Sequence, residues 1–291
     1  MKIAAAAYPL DWFDDINAYA AKLSRWVADA ADLGAGLLVF PEYGAMELAS
    51  LGGEKVAADP EAALHEVARH KSVVDKLHCD LTRRHSVHIL GGSGPVFVGA
   101  RPVNRATFYG PGGILGHQDK QIMTRFEREP WRIEPGDPLT LFDTPLGKIG
   151  VLICYDSEFP LLARALCEAG AEILLAPSCT DSLAGLHRVR IGAMARALEN
   201  QCVVAHSATI GPCPWCPPVD ANVGRAAIYG PPDIGWPDNG ILAETAINSP
   251  GWAVAEFSRA AIATLRADGG VLNLTHWTDQ APRLDAGITR A

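Results

Sequence analysis

A carboxylate, a lysine and a cysteine each stand directly after an extended or apolar run in this chain. Leu37-Leu38-Val39-Phe40-Pro41-Glu42 places Glu42 just past a short, fully apolar strand, and Gly150-Val151-Leu152-Ile153-Cys154-Tyr155-Asp156 ends another strand in a thiol. His117-Gln118-Asp119-Lys120 ends a third in an ammonium. Such strand ends form the sheet edge where α/β proteins present reactive groups. Taken singly, each also has an ordinary reading. Glu42 would be a loop carboxylate or helix cap, Cys154 a small buried core thiol, and Lys120 a solvated surface charge. Asp156 or Ser157 as the cap of a following helix would set Cys154 near a helix N-terminus. There a thiol pKa falls and free backbone N–H groups face an oxyanion.

The elements that must position these groups alternate. Residues 2–8 read as a strand, and Asp14 or Asp15 caps a helix to about Leu33, with Ile16, Tyr19, Leu23, Trp26 and Val27 near helical spacing. A short strand at 37–40 follows, and Pro60 opens a second long helix to about His85. Strands at 87–90, 103–118 (a hairpin about Tyr109-Gly110-Pro111-Gly112-Gly113), 139–142 and 149–153 come next. Then come a helix at 159–169, a strand at 173–176, a helix at about 184–199 and a strand at 202–205. Short strands near 225–229, 240–244 and 252–257 and a helix near 259–266 complete the pattern. Buried strands, intervening helices and several hairpins predict an α/β protein with a mixed sheet. Residues 1–270 read as one domain and 271–291, with weak periodicity, as a tail.

Composition bounds the partners. The 291 residues carry 25 Lys+Arg against 33 Asp+Glu, a formal charge of −8 that argues against duplex nucleic acid as a ligand. No run approaches the roughly 18 apolar residues of a membrane span. Met1–Ala7 faintly imitates a secretion signal, but Tyr8-Pro9-Leu10-Asp11-Trp12 stops the run at once. The 7 cysteines are odd in number and scattered, which predicts reduced thiols and a cytoplasmic protein.

Taken together and in order, Phe40-Pro41-Glu42, Asp119-Lys120 and Ile153-Cys154-Tyr155-Asp156-Ser157-Glu158-Phe159-Pro160 resemble the three signatures of the nitrilase, or carbon–nitrogen hydrolase, superfamily. Glu134-Pro135-Gly136-Asp137, Phe142–Gly150 and Ala195–Gln201 match it as well, and the likeness runs from about residue 2 to 265. The resemblance implies a four-layer αββα sandwich with mixed β-sheets, assembled as a homodimer or higher homo-oligomer. It implies Cys154 as nucleophile, Glu42 as general base, and Lys120 with the backbone N–H of Tyr155 as oxyanion donors. A second glutamate is expected shortly before Pro135-Gly136; Glu129 is assigned, with Glu127 the competing choice. The Lys120 ammonium is expected to lower the Cys154 pKa and keep Glu42 ionised, making Cys154 the thiol alkylated fastest near neutral pH. No metal and no organic cofactor is required. Tyr43, Tyr155, Ser178 and Arg190 are assigned to the substrate pocket, Arg190 as a partner for a substrate carboxylate or else a surface charge.

The substrate class implied is a small amide, through a cysteine thioester. An N-carbamoyl compound is the alternative and a nitrile a lesser one, because nitrilases more often place Trp and Glu after the cysteine. A nitrilase-like protein that binds without turnover is the rival from a different class, and no triad residue is lost to favour it. Gly224-Arg225-Ala226 and Leu161 depart from common family residues and leave the subclass open. Three other features read as ordinary structure. Cys213-Pro214-Trp215-Cys216 lies in a proline-rich loop and reads as loop thiols before a redox pair or half a zinc site. His65, His70, His78, His85 and His88 read as a solvated face. Gly91-Gly92-Ser93-Gly94 has no following helix and is not a phosphate loop.

Overall fold

The computed structural model describes residues 1–290. In chain order the elements are β1 (Lys2–Pro9), α1 (Ile16–Asp32), β2 (Leu37–Val39), α2 (Glu54–Ala57), α3 (Pro60–Arg69), α4 (Lys71–His85), β3 (His88–Leu90), β4 (Gly94–Phe97), β5 (Pro102–Gly110), β6 (Gly113–Asp119) and α5 (Arg125–Arg128). There follow β7 (Leu141–Thr144), β8 (Gly147–Val151), α6 (Pro160–Glu168), β9 (Ile173–Ser178), α7 (Leu183–Asn200), β10 (Val203–Pro212) and β11 (Ala221–Asn222). The chain continues through β12 (Ala227–Tyr229), β13 (Ile241–Glu244), β14 (Gly251–Glu256), α8 (Arg259–Asp268), α9 (Asn273–His276) and α10 (Ala281–Asp285).

One curled path of strands, β4-β5-β3-β2-β1-β10-β9-β8-β7, forms both sheets of the sandwich. The fold passes from one sheet to the other at β1. Ile3–Ala5 pair in parallel with Leu37–Val39 of β2, whereas Ala7–Pro9 pair in parallel with Ala208–Ile210 of β10. A strand buried on both faces has no polar side, which is why Ala4, Ala5, Ala6 and Ala7 run without alternation at 0% exposure. Three apolar layers result. Ile3, Val39, Phe108, Val151, Ile153 and Leu175 pack between the sheets; Ala4, Leu38 and Phe40 pack with Leu23, Val27, Leu64 and Leu81 of α1, α3 and α4. Leu152, Leu174 and Val204 pack with Leu166, Ala193 and Ala197 of α6 and α7. Helices outside both sheets make the four-layer αββα sandwich.

Several elements differ from expectation. Residues 60–85 are two helices, not one: His70 ends α3, its N–H bonded to Val67 and its ring 2.9 Å from Glu66, and α4 starts afresh at Lys71. Gly44–Gly52 form a 3₁₀ stretch with no clear periodicity to announce it. His78 is not on a solvated face. It is 2% exposed, stacks on Tyr109 at 4.6 Å and bonds Val74 through Nδ1; burial holds its pKa down at about 4. Residues 271–277, expected as the start of a tail, pack on the domain. Trp277 covers the Arg164 guanidinium at 4.6 Å, and Gln201 bonds the backbone of Val271 and Leu274, docking α9 on the sandwich. Gly91–Gly94 turns out to brace the turn after Glu42: Tyr43 N–H donates to Ser93 Oγ at 3.0 Å, and Gly92 lies against Gly44.

Candidate active site

Glu42 leaves β2 through Phe40-Pro41, Cys154 leaves β8, Cys179 leaves β9 and Lys120 leaves β6. The parallel strands β2, β8 and β9 all end on one edge of the sandwich, so four residues far apart in the chain line one cavity of about 440 Å³. Two turns in that cavity have left-handed backbone at residues other than glycine: Tyr43 at φ 53° and Cys154 at φ 51°. Such conformations cost about 1–3 kcal/mol each and persist only where the surroundings impose them. At Cys154 the restraints are visible. Asp156 accepts from the N–H groups of Ile153, Gln121 and Ile122, and Ser157 donates to the Cys154 carbonyl at 2.6 Å. Asp156 and Ser157 therefore do not cap α6. They shape a 3₁₀ turn, Cys154–Glu158, and α6 begins at Pro160.

Lys120 is 1% exposed and lies between two carboxylates, 2.7 Å from Glu42 Oε1 and 2.6 Å from Glu127 Oε2. Burial pulls its pKa down, but the two carboxylates more than restore it, and the ammonium stays charged. Glu127, not Glu129, is thus the glutamate brought to Lys120. Glu129 is turned outward onto Arg125 at 3.0 Å, with more than half of its side chain exposed. The reason is local. Thr124 and Glu127 form a capping box at the start of α5, with Thr124 N–H and Oγ1 donating to Glu127 Oε2 at 2.9 and 2.8 Å. Residue 127 is thereby held inward, and residue 129 follows on the solvent side. The Thr-x-x-Glu pattern was the signal that could have chosen between them.

The two buried carboxylates have different environments. Burial would raise Glu127, yet Lys120, the Tyr43 hydroxyl at 2.7 Å and Thr124 outweigh it and hold its pKa below the usual range. Glu42 accepts from Lys120, from Asn104 Nδ2 at 3.0 Å and from Cys179 N–H at 3.0 Å, but burial and the Glu127 charge win, pushing it up to about 7. Glu127 is the fixed counter-charge of Lys120 and Glu42 the group that titrates. Cys154 also departs from expectation. Burial first, then the Glu42 charge, push its thiol well above the ordinary range despite Lys120, so the resting sulfur is protonated. It donates to the Cys179 carbonyl at 3.8 Å.

Of the remaining assignments, Tyr43 and Tyr155 line the cavity. Ser178 does not: it is buried at the back, bonded to His206 and the Ser207 carbonyl. Arg190 also faces elsewhere, toward Glu244, because α7 turns that side chain under the helix. Arg188, two residues earlier, lines the cavity mouth 3.5 Å from Glu158. Asn104, Cys179, Thr180 and Trp131 carry no sequence pattern of their own and emerge only from the packing. Cys213 and Cys216 are free, buried thiols in a turn closed by Cys216 N–H on the Cys213 carbonyl, with Trp215 edge-on to Trp12. Among the described residues no group of three or more His, Cys, Asp or Glu side chains could hold a metal, and no helix is long and apolar enough to cross a membrane.

The Glu134-Pro135-Gly136 segment braces Lys120. Gly136 N–H bonds the Lys120 carbonyl at 2.9 Å, and a Cβ on Gly136 would fall 2.1 Å from Asp119 Cβ. Gly136→Ala is expected to displace the end of β6 and destabilise the protein by about 1–3 kcal/mol in urea unfolding. An unchanged midpoint would show that the two segments do not press on each other.

A profile of the carbon–nitrogen hydrolase family matches residues 2–266. The chain is 31% identical over 274 residues to a probable hydrolase, YhcX, of Bacillus subtilis, covering 94% of this chain and 53% of that protein. The chain thus spans about half the length of that relative. It is 29% identical over 206 residues to omega-amidase NIT2-B of Xenopus laevis, 66% of this chain and 67% of the other. Among solved structures, an amidase from Nesterenkonia sp. AN1, bearing acrylamide added at its active-site cysteine, superposes with a TM-score of 0.67. The match is at 22% identity and covers 92% of this chain and 97% of that one.

Proposed function

The chain belongs to the carbon–nitrogen hydrolase family, and from that premise we propose that it hydrolyses a small amide through a Cys154 thioester. The observation that carries this reading is the buried Glu42–Lys120–Glu127 array on the cavity that Cys154 lines. Glu42 takes the thiol proton as sulfur attacks the amide carbon. Because the resting thiol is the weaker acid, proton transfer is completed only as the C–S bond forms. Lys120 and the Tyr155 N–H hold the oxyanion; Glu42 returns the proton to the departing amine, leaving an acyl thioester. Glu42 then takes a proton from water, hydroxide adds to the thioester, and collapse releases the carboxylic acid and the sulfur, which recovers its proton. Tyr43 and Tyr155 form walls of the substrate pocket, and Tyr43 also fixes Glu127.

Ammonia release from small amides, N-carbamoyl compounds and nitriles, with Cys154→Ala as blank, tests the reading. Release from amides alone supports it, release from N-carbamoyl compounds alone moves the assignment to that subclass, and equal release with the variant removes the thioester route. The pH dependence is a sharper check. Glu42 must be ionised to accept the proton, and burial has raised it to about 7. The rate should therefore rise with pH through about 7, and a flat kcat/KM between about pH 5.5 and 8 would exclude Glu42 as base. Stability should move the opposite way. A carboxyl whose folded pKa is raised binds more protons folded than unfolded, so its contribution declines as pH rises toward 7.

We further propose a cytoplasmic homodimer. The outer faces of α6 and α7 expose Leu161, Leu183, Ile191 and Leu198, an apolar surface a second copy would cover.

A further inference from the structure

On the far side of β9 from the catalytic cavity, five polar side chains from five segments meet beneath α7. His206 (β10) and Tyr229 (β12) are both 0% exposed, their rings 6.3 Å apart at 30°. Arg190 reaches in from α7, Arg225 from the chain before β12, and Glu244 from the end of β13. Glu244 Oε2 lies 2.7 Å from Arg225 and 4.0 Å from Arg190. One carboxylate is therefore shared by two guanidinium groups, and the cluster carries a net positive charge.

Its hydrogen bonds are incomplete. His206 Nδ1, Arg190 Nε and Arg225 Nε are buried without a partner, and the buried Tyr229 hydroxyl has only the Arg190 guanidinium beside it. Buried polar groups are normally paired, and one such group left unmet costs about 1–3 kcal/mol. Here three are gathered in one place. The two guanidinium N–H groups can only donate and the Tyr229 hydroxyl is free to donate, so what is missing is an acceptor with several lone pairs. A net positive charge favours that acceptor as an anion, and paired arginines suit the planar or tetrahedral oxygens of carboxylate or phosphate. The cluster reaches the surface at its outer rim, where Glu244 and Arg190 are about one-third and one-quarter exposed.

We propose that Arg190, Arg225, Tyr229 and His206 form a second binding site, separate from the catalytic cavity, for a small oxyanion of the carboxylate or phosphate class. The site touches the reaction machinery through one strand end. His206 Nε2 is 2.8 Å from Ser178 Oγ, and the next residue, Cys179, gives its N–H to Glu42. An anion on His206 Nδ1 fixes that nitrogen as the protonated one and makes Nε2 an acceptor for the Ser178 hydroxyl. The hydroxyl now donates to the Ser207 carbonyl at 2.9 Å. Occupancy is thereby felt next to the residue that holds Glu42.

The test titrates the purified protein with sodium phosphate, and separately with sodium acetate, against sodium chloride at matched ionic strength. The readouts are the unfolding temperature and the imidazole nitrogen resonances of His206. Expected is saturable stabilisation by phosphate, acetate or both, with a shift of the His206 signals; the anion that saturates identifies the occupant. In Arg225→Gln binding should weaken about tenfold or more, and Arg225→Lys should regain part of it. Arg190→Gln gives the same reading should Arg225→Gln fail to fold. Ammonia release is not a readout, so an error in the amidase assignment leaves this test intact. A crystal structure grown in phosphate should show the anion between the two arginines. A water alone at that position, a carboxylate of a second copy filling it, or an adventitious ion only, seen in the crystal without saturable binding in solution, would overturn the proposal.

Discussion

Cys154→Ala is expected to lower amide turnover by about 10⁴-fold or more while leaving a folded protein. The effect is large because every later step passes through the sulfur: without it there is no thioester, and water must attack an unactivated amide. The structural consequence is small. The thiol's own contacts are the Cys179 carbonyl at 3.8 Å and the neighbouring Glu42 carboxylate, and the turn is held by Asp156 and Ser157 rather than by sulfur. Stability should therefore change by no more than about 1 kcal/mol. Ammonia release and a thermal unfolding curve measured on the same preparation separate the two. Undiminished release with a normal unfolding curve would take Cys154 out of the reaction.

Lys120→Met is expected to damage both stability and activity. The ammonium neutralises two carboxylates, each within 2.7 Å and each almost wholly buried. Removing one member of a buried ion cluster leaves uncompensated charge and costs about 3–5 kcal/mol. Loss of the oxyanion donor should separately lower kcat by about 10²–10³-fold. The double variant Lys120→Met with Glu127→Gln distinguishes the two effects, since a neutral amide in place of the Glu127 carboxylate needs no counter-charge. It should recover part of the unfolding free energy in urea and none of the activity. A Lys120→Met protein as stable as the parent would mean that the array is not the electrostatic unit described.

The chemistry-bearing residues were legible because their signatures are local. Glu42, Lys120 and Cys154 each follow closely on a strand, and the order of the three is a property of the chain. Glu129, assigned from its spacing, lies outside the Lys120 array for a local reason. Glu127 and Glu129 both stand close before Pro135-Gly136, and only the capping box with Thr124 turns one inward. Arg190 failed for a related reason. Helical spacing places residues 188 and 190 on different faces, but which face meets the cavity depends on how α7 lies on the 3₁₀ turn at Cys154. Gly192 sets that closeness, since a Cβ there would meet the Ser157 carbonyl at 2.9 Å.

The helix break at His70 and the burial of His78 both lack a local mark. Periodicity carries through His70 without interruption, and a histidine on a helix has no sequence mark of burial. The stacking partner, Tyr109, lies far along the chain on β5 and supplies what the pattern lacks.

What the sequence by itself determined is the α/β class, the family and three residues, Glu42, Lys120 and Cys154, that the fold brings to one cavity. These follow from short-range pattern: apolar runs, turn residues, and side chains whose type limits their chemistry. Only the tertiary structure decided the protonation states. From adjacency to Lys120 alone, Cys154 was expected to be acidified and Glu42 to stay ionised. In the folded protein burial outweighs the ammonium at both, leaving a protonated thiol and a carboxyl near 7. Desolvation depends on everything packed around a group, from strands and helices distant in the chain, and no local spacing encodes that sum.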